Sequence, residues 1–301
     1  MIDKEKNNVK KSAFIAIVGR PNVGKSSIMN KLLGTKVAIV SNKPQTTRTR
    51  IMGVLTDEEY QLVFIDTPGL HRPKTALGEL MVRSINESVS GVDGGLLVTE
   101  AGRVPAESEK RLIEKFKQLN CPVILAINKI DTLKDKALLL EQIQSYNDLF
   151  AFKAIVPVSA LKGDGMQVLL NELKNLSVNS SHYFDSDTLT DQPERVLAAE
   201  MIREKILRLL NEEIPHGTAV VVEKMKQRDE KDIIDIDATI YCEKETHKGI
   251  IIGRSGQMLK RISTYARQDM ERFFCCKINL QTWVKIKEDW RNREHLLLDL
   301  I

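Results

Sequence analysis

Gly19-Arg20-Pro21-Asn22-Val23-Gly24-Lys25-Ser26 is the stretch whose reading decides the fold of this chain. It fits the pattern G-x-x-x-x-G-K-[ST]. Before it stands the apolar run Phe14-Ile15-Ala16-Ile17-Val18, expected to be a buried strand, and after it Ser27 to Leu33 reads as a helix start. Glycines in such a loop let backbone N–H groups turn inward around phosphate oxygens. The helix N-terminus adds the positive end of its dipole. The Lys25 ammonium can reach β- and γ-phosphates, and the Ser26 hydroxyl can ligate Mg²⁺. An ordinary glycine-rich turn requires neither the strand before it nor the Lys-Ser pair at its end.

A phosphate loop does not select a base, but Asn128-Lys129-Ile130-Asp131 can. It ends the apolar run Val123–Ile127 and so falls at a strand's carboxyl end, where open α/β sheets bind ligands. The Asp131 carboxylate can accept two hydrogen bonds from guanine N1–H and the 2-amino group. Adenine lacks that donor pair and would leave the carboxylate desolvated and unpaired, a penalty of about 1–3 kcal/mol or more. Asn128 can address the N7/O6 edge, and the Lys129 stem can lie over the ring.

Asp66-Thr67-Pro68-Gly69 follows the strand-like Tyr60–Ile65. Asp66 is placed to hold the Mg²⁺ shell, and the Gly69 N–H to sense the γ-phosphate. The polar loop Pro44-Gln45-Thr46-Thr47-Arg48 contributes the Thr47 hydroxyl as a further magnesium ligand when that phosphate is present. Ser159-Ala160-Leu161 closes the strand Ala154–Val158 and can offer a backbone N–H to guanine O6. The expected nucleotide contacts are therefore Gly19 through Ser27, Asp66 through Leu70, Asn128, Lys129, Asp131, and Ser159 through Leu161. Ser26, Thr47 and Asp66 are the expected metal ligands. Lys25, Thr47 and Gly69 sit where chemistry at the γ-phosphate would occur.

These phrases, with a later Lys248-Gly249-Ile250-Ile251-Ile252-Gly253-Arg254-Ser255-Gly256 and Trp283–Trp290, resemble the translation-factor-related GTPases, and more narrowly the Era family of bacterial ribosome-assembly GTPases. The resemblance implies a switch that hydrolyses GTP to GDP with Mg²⁺. It implies binding of the 3′ end of small-subunit (16S) ribosomal RNA during rRNA processing and 30S subunit assembly. A monomer in the cytoplasm is expected, with peripheral contact to the inner face of the cell membrane known in the family. A tRNA-modification GTPase shares the first domain, but this chain lacks its carboxyl-terminal cysteine motif. A membrane-signalling GTPase is the alternative without RNA. Many signalling GTPases orient the attacking water with a glutamine after the Asp66–Gly69 motif, whereas this chain has Leu70. In relatives with an apolar residue there, an asparagine equivalent to Asn22 helps ligate K⁺, which makes Asn22 a candidate catalytic residue. His71 reads as a surface residue of a switch loop.

Composition agrees with this reading. The chain has 301 residues, 42% hydrophobic and 29% charged, with net charge +4. That suits two ordinary domains with a modest affinity for polyanions. Cys121, Cys242, Cys275 and Cys276 show no metal spacing and read as reduced core thiols. Met1 to Lys11 has no apolar stretch of a secretory signal, and no run approaches the ~20 apolar residues of a membrane span.

The expected organisation is a polar tail over residues 1–12, a doubly wound, mostly parallel GTPase domain over 13–176, a linker over 177–192 and a second domain over 193–301. In the first domain, strands are expected at Phe14–Val18, Ile51–Leu55, Gln61–Ile65, Gly95–Thr99, Val123–Ile127 and Ala154–Val158. Helices are expected at Lys25–Leu33, Leu77–Val89, Ala106–Leu119, Lys136–Phe150 and Met166–Asn175. The linker holds three Asp and no Lys or Arg, has no periodicity and reads as loop. In the second domain, an apolar stripe over Val196–Leu210 predicts a helix. Strands at Ala219–Lys224 and Ile233–Cys242, the Gly253–Gly256 loop, a helix over Gln257–Phe273 and a strand over Lys277–Ile286 follow. This order resembles the bacterial, type II form of the KH domain, an α+β RNA-binding module. Such domains clamp single-stranded RNA at a GxxG loop. Between Lys244 and Lys287 there are 10 basic and 3 acidic residues. Lys248, Gly253, Arg254, Ser255, Gly256, Lys260 and Arg261 are the candidate RNA contacts. Trp283, within the last strand, is expected in the core, and Trp290 is open between stacking and packing.

Overall fold

The computed structural model describes residues 10–41, 43, 46–48, 50–69, 75–77, 79, 81, 87–88, 91–211, 214–228 and 232–300. The chain separates into two compact units, Met1–Val37, Arg50–His71 and Arg83–Asp191 in the first, and Ala38–Thr49, Arg72–Val82 and Gln192–Ile301 in the second.

The first unit is built on apolar runs too continuous for a half-exposed strand, as expected of a sheet covered on both faces. Its strands are β1 (Lys11–Gly19), β2 (Ile51–Thr56), β3 (Tyr60–Asp66), β4 (Gly94–Glu100), β5 (Val123–Asn128), β6 (Ala154–Pro157) and β7 (Val178–Asn179). They lie in the order β2-β3-β1-β4-β5-β6, with β7 paired to β1. β1 runs parallel to both β3 and β4, with Ile15 opposite Phe64 and Ile17 opposite Leu96. β2 and β3 form the expected antiparallel hairpin. Its helices among the described residues include α1 (Lys25–Leu33), α2 (Glu107–Gln118), α3 (Ala137–Asn147) and α4 (Met166–Lys174). Leu112, Ile113 and Phe116 of α2 pack with Leu97, Leu125 and Tyr146 in one core.

Two boundaries differ from expectation. Lys11 and Ser12, assigned to the tail, belong to β1 and pair with β7. The stretch 177–192 is more than a solvated loop. β7 adds to the sheet, Gln61 accepts from the Tyr183 and Phe184 N–H groups at 2.6 and 2.9 Å, and Val54 N donates to Leu189 O at 2.9 Å. These attachments use side-chain amide and ladder-edge groups that hydrophobic periodicity does not register. Of the expected helix Leu77–Val89, the described residues 77, 79, 81, 87 and 88 are helical and the rest lie outside the described residues.

The second unit comprises α5 (Glu194–Leu209), β8 (Ala219–Gln227), β9 (Ile233–Cys242), α6 (Glu245–Ile252), α7 (Gln257–Phe274), β10 (Lys277–Ile286) and α8 (Glu294–Leu300). The sheet order is β10-β9-β8, with β10 parallel and β8 antiparallel to β9. Ile202 and Ile206 of α5 and Ile262, Ala266 and Met270 of α7 close over Ile236, Ala238 and Ile240 of β9. A smaller cluster joins Leu77, Met81, Ala219, Trp290, Leu296 and Leu297.

α5 is buried beyond its expected stripe, for Arg203, Glu204 and Lys205 are also covered. Glu204 accepts from Val40 N at 3.0 Å, Arg203 donates to Thr46 O, and Arg208 donates twice to Val40 O. Lys205 pairs with Glu204 at 2.8 Å and with Asp269. The polar face of α5 thus holds residues from the 38–49 segment of the same unit.

Trp283 corrects its expected place in the core, for its side chain is 43% exposed. The inward positions of β10 include Ile278 and Val284, and the alternating pleat sends Trp283 to the other face. Trp290 resolves to packing. It is fully buried, and its Nε1–H donates to Gly217 O at 3.0 Å. All four cysteines are free, and Cys275 is exposed rather than in the core. No described helix is long and apolar enough to cross a membrane.

Candidate functional site

In the first unit, β1 delivers the chain into the phosphate loop and α1 leaves it, with Gly24 capping α1 in the left-handed region. Asn22 also has positive φ, at 63°. Lys25 is buried, and its Nζ donates to Gly19 O and Arg20 O at 3.2 and 3.1 Å. Burial lowers its pKa to about 8 against the opposing pull of Asp66. An ammonium held on two carbonyls in a desolvated loop is suited to an incoming phosphate.

The Ser26 hydroxyl donates to Asp66 Oδ2 at 2.5 Å, at the end of β3. Two hard oxygen donors side by side fit a Mg²⁺ ion that takes its remaining ligands from phosphate and water. Among the described residues no three His, Cys, Asp or Glu side chains cluster as a metal site, consistent with one carboxylate here. Thr67 Oγ1 donates to Ile17 O at 2.8 Å and ties the Asp66–Gly69 turn to β1. A Cβ on Gly69 would stand 2.7 Å from Pro21 Cα, so only glycine lets this turn lie against the phosphate loop. The third expected ligand, Thr47, is buried in a segment grouped with the second unit. Leu70, Pro44, Gln45 and His71 lie outside the described residues.

The base-reading motifs are stitched to the phosphate loop. Asn128 Nδ2 donates to Val23 O at 2.8 Å, while its Oδ1 accepts from Ala160 N at 3.1 Å. Asn128 is therefore a brace between two loops as well as a base-edge candidate, and of the Ser159–Leu161 backbone N–H groups expected to serve guanine O6, that of Ala160 is engaged by it. Ser159 Oγ donates to Asp131 Oδ1 at 2.6 Å and fixes the carboxylate. That hydroxyl role was not expected, though Ser159 stands first in its motif at a strand end. Lys129, in the left-handed region, pairs with Glu100 at 3.1 Å. Leu161 is exposed.

In the second unit, the Gly253–Gly256 loop joins α6 to α7. Gly253 has φ 73°, and a Cβ there would meet Met258 Cβ at 2.6 Å. Ser255 adopts φ 50°, a left-handed conformation uncommon outside glycine. Arg254, Lys260 and Arg261 are exposed, whereas Lys248 is half-buried and lies 3.7 Å from Glu245. Exposed apolar side chains in this unit include Ile250, Tyr265 and Trp283.

Residues 14–129 match the family described as 50S ribosome-binding GTPase, and residues 213–291 match the KH domain family. GTPase Era of Clostridioides difficile (strain 630) is 50% identical over 287 residues, covering 95% of this chain and 97% of that protein. The chain belongs to the Era GTPase family. GTPase Era of Ruminiclostridium cellulolyticum is 51% identical over 291 residues, covering 96% of this chain and 97% of that one. Two solved structures match with TM-score 0.91 and 38% identity, over 96% of this chain and 98% of theirs. One is a variant of Aquifex aeolicus Era bound to GDP·AlF4⁻, and the other is Era with MgGDPNP and nucleotides 1506–1542 of 16S ribosomal RNA. As an Era-family member this chain is a GTPase with a P-loop GTPase domain followed by a carboxyl-terminal KH domain.

Proposed function

We propose that this chain is a GTP-driven switch whose nucleotide state sets the RNA affinity of its KH domain during 30S subunit assembly. The observation that carries the nucleotide half of this reading is the hydrogen-bonded chain Val23–Asn128–Ala160 beside Ser159–Asp131. It couples the guanine-reading carboxylate mechanically to the phosphate loop. Asp131 reads N1–H and the 2-amino group, Lys129 lies over the ring, and Gly19 through Ser27 cradle the phosphates. Lys25 neutralises charge developing toward the β/γ-phosphates. Ser26 and Asp66 would hold Mg²⁺, which would offset the charge of the phosphates, and Thr47 would be a further ligand in the triphosphate state. With Leu70 in place of a water-orienting glutamine, positioning the water falls to backbone groups or a second factor, and Asn22 would help hold a K⁺, which would supply positive charge there.

The nucleotide chemistry is assigned to residues 13–176 and RNA contact to 193–301. Arg254 lies within the Gly253–Gly256 loop and Lys248, Lys260 and Arg261 flank it in sequence, where two glycines admit a sugar-phosphate backbone. The proposed RNA is the 3′ end of 16S rRNA, by likeness to the Era complex with nucleotides 1506–1542. A monomer acting in the cytoplasm, with peripheral membrane contact, is the proposed setting. The test is an RNA titration of the full chain at fixed salt, loaded with either GDP or a non-hydrolysable GTP analogue. A several-fold affinity difference for a 3′-terminal 16S oligonucleotide is expected, and equal affinities in the two states would sink the switch.

A further inference from the structure

Between α5 and β8 the second unit holds a cavity of about 200 Å³ whose walls carry Arg48, Arg195, Glu200 and Arg203 beside apolar Val220 and Val222. Arg48 and Arg203 are 4% and 2% exposed. Arg203 grips Glu200 through Nε and Nη2 at 2.6 Å each, so that carboxylate answers one guanidinium. Arg48 has no such partner. Its Nη1 and Nη2 donate to Thr218 O and His216 O at 2.6 and 2.9 Å, and its guanidinium lies 5.4 Å from the Trp290 ring centre. Arg48 Nε and Arg203 Nη1 find no hydrogen-bond partner among the described residues. Arg195, exposed at the rim, makes no ion pair among them.

Three guanidiniums therefore face one carboxylate, and two of them are buried with an N–H unsatisfied. Buried polar groups are nearly always partnered, and guanidinium forks match the oxygens of phosphate and carboxylate. Burial, reinforced by the charge of Arg203 and opposed by Glu200 and Glu243, draws the Arg48 pKa down to about 9. We infer that this cavity is a binding site for a small oxyanion, a phosphate or a carboxylate, held by Arg48 Nε, Arg203 Nη1 and, from the rim, Arg195. Arg48 lies in the 38–49 segment and Arg203 on α5, so the bound anion would staple that segment to the helix. The site uses none of the residues assigned to guanine, magnesium or RNA, and it stands or falls independently of them.

The test uses the full chain saturated with GDP and Mg²⁺, which occupies the phosphate loop. Inorganic phosphate, acetate and chloride are titrated separately at equal ionic strength, with thermal unfolding and the ³¹P linewidth of free phosphate as readouts. A saturable rise in unfolding temperature with phosphate or acetate, beyond that with chloride, is expected, and which anion acts identifies the source. Arg195→Gln, at an exposed position that leaves folding intact, should weaken the apparent affinity several-fold, and Arg48→Met should abolish the response. Phosphate stabilises proteins generally by exclusion from their surfaces. A rise that does not saturate, or that is equal in Arg195→Gln, would therefore overturn the proposal, as would no response beyond chloride.

Discussion

Asp131 presents one oxygen to the Ser159 hydroxyl at 2.6 Å, which fixes the carboxylate that would face guanine. Exchanging it for an amide turns a double acceptor into a group that also donates, suited to the 2-oxo edge of xanthine. Asp131→Asn is expected to weaken GTP binding by about 2–3 kcal/mol, the scale of a lost bond to a charged group, and to gain XTP binding. Unchanged GTP affinity by titration would reject the guanine assignment. Lys25 supplies a pH signature. Its pKa falls from 10.5 unfolded to about 8 folded because burial penalises the ammonium. Between those values the unfolded state binds more protons, so this group's penalty on stability is relieved as pH rises from about 8 to 10.5. Nucleotide-free protein should therefore lose its stability deficit against Lys25→Met across that window, while saturating GDP and Mg²⁺ should flatten the trend. Parallel melting-temperature curves for the two proteins without nucleotide would contradict it. Asn22 is expected to make turnover several-fold faster in KCl than in NaCl, a difference removed by Asn22→Ala, and equal rates in both salts would dismiss the potassium role.

At the scale of elements, the strand–loop–helix around Gly19–Ser26 was legible because its strands are buried on both faces and so spell continuous apolar runs. The second unit was legible for a similar reason, since β9 alternates Ile234, Ile236, Ala238 and Ile240. Trp283 was misplaced although the signal was present. The odd positions 277, 279, 281 and 285 of β10 are polar, and parity puts the tryptophan with them. The charged face of α5 gave no such signal, because its partners Val40 and Thr46 lie far away in sequence. Nor did 177–192, held by Gln61 and a two-residue strand. The Gly253–Gly256 loop allows a test at this scale. Arg254→Asp with Ser255→Asp keeps both glycines, and Asp is among the residues that tolerate the left-handed conformation of Ser255. Two carboxylates where phosphates would lie should lower affinity for the 16S 3′ oligonucleotide about tenfold or more at fixed salt, with GTP affinity unchanged. Normal RNA binding by this variant would refute the loop's role.

At the scale of the whole molecule, sequence order and spatial grouping part company. Residues 38–49 and 72–82 fall within the nucleotide-binding half of the sequence, yet they group with the second unit. Trp290 is the common element of that grouping. Fully buried, it packs with Leu77 and Met81 of one segment, its ring lies under the Arg48 guanidinium of the other, and its Nε1–H satisfies Gly217 O. Trp290→Ala removes all three contacts at once and is expected to cost the second unit about 3–5 kcal/mol, the usual toll for a large aromatic in a core. The residues proposed to hold GDP lie in the first unit, so saturating GDP should not restore that loss by mass action on the second. The segment bearing Thr47 should be released as well, and RNA-free GTP turnover should then change several-fold while GDP affinity stays within about twofold, roughly 0.4 kcal/mol. Hydrogen exchange resolved along the chain, measured beside turnover, checks both halves of the expectation. Faster exchange over 38–48 with unaltered turnover would mean that packing of this segment does not govern hydrolysis, and unaltered exchange would mean that Trp290 does not hold it.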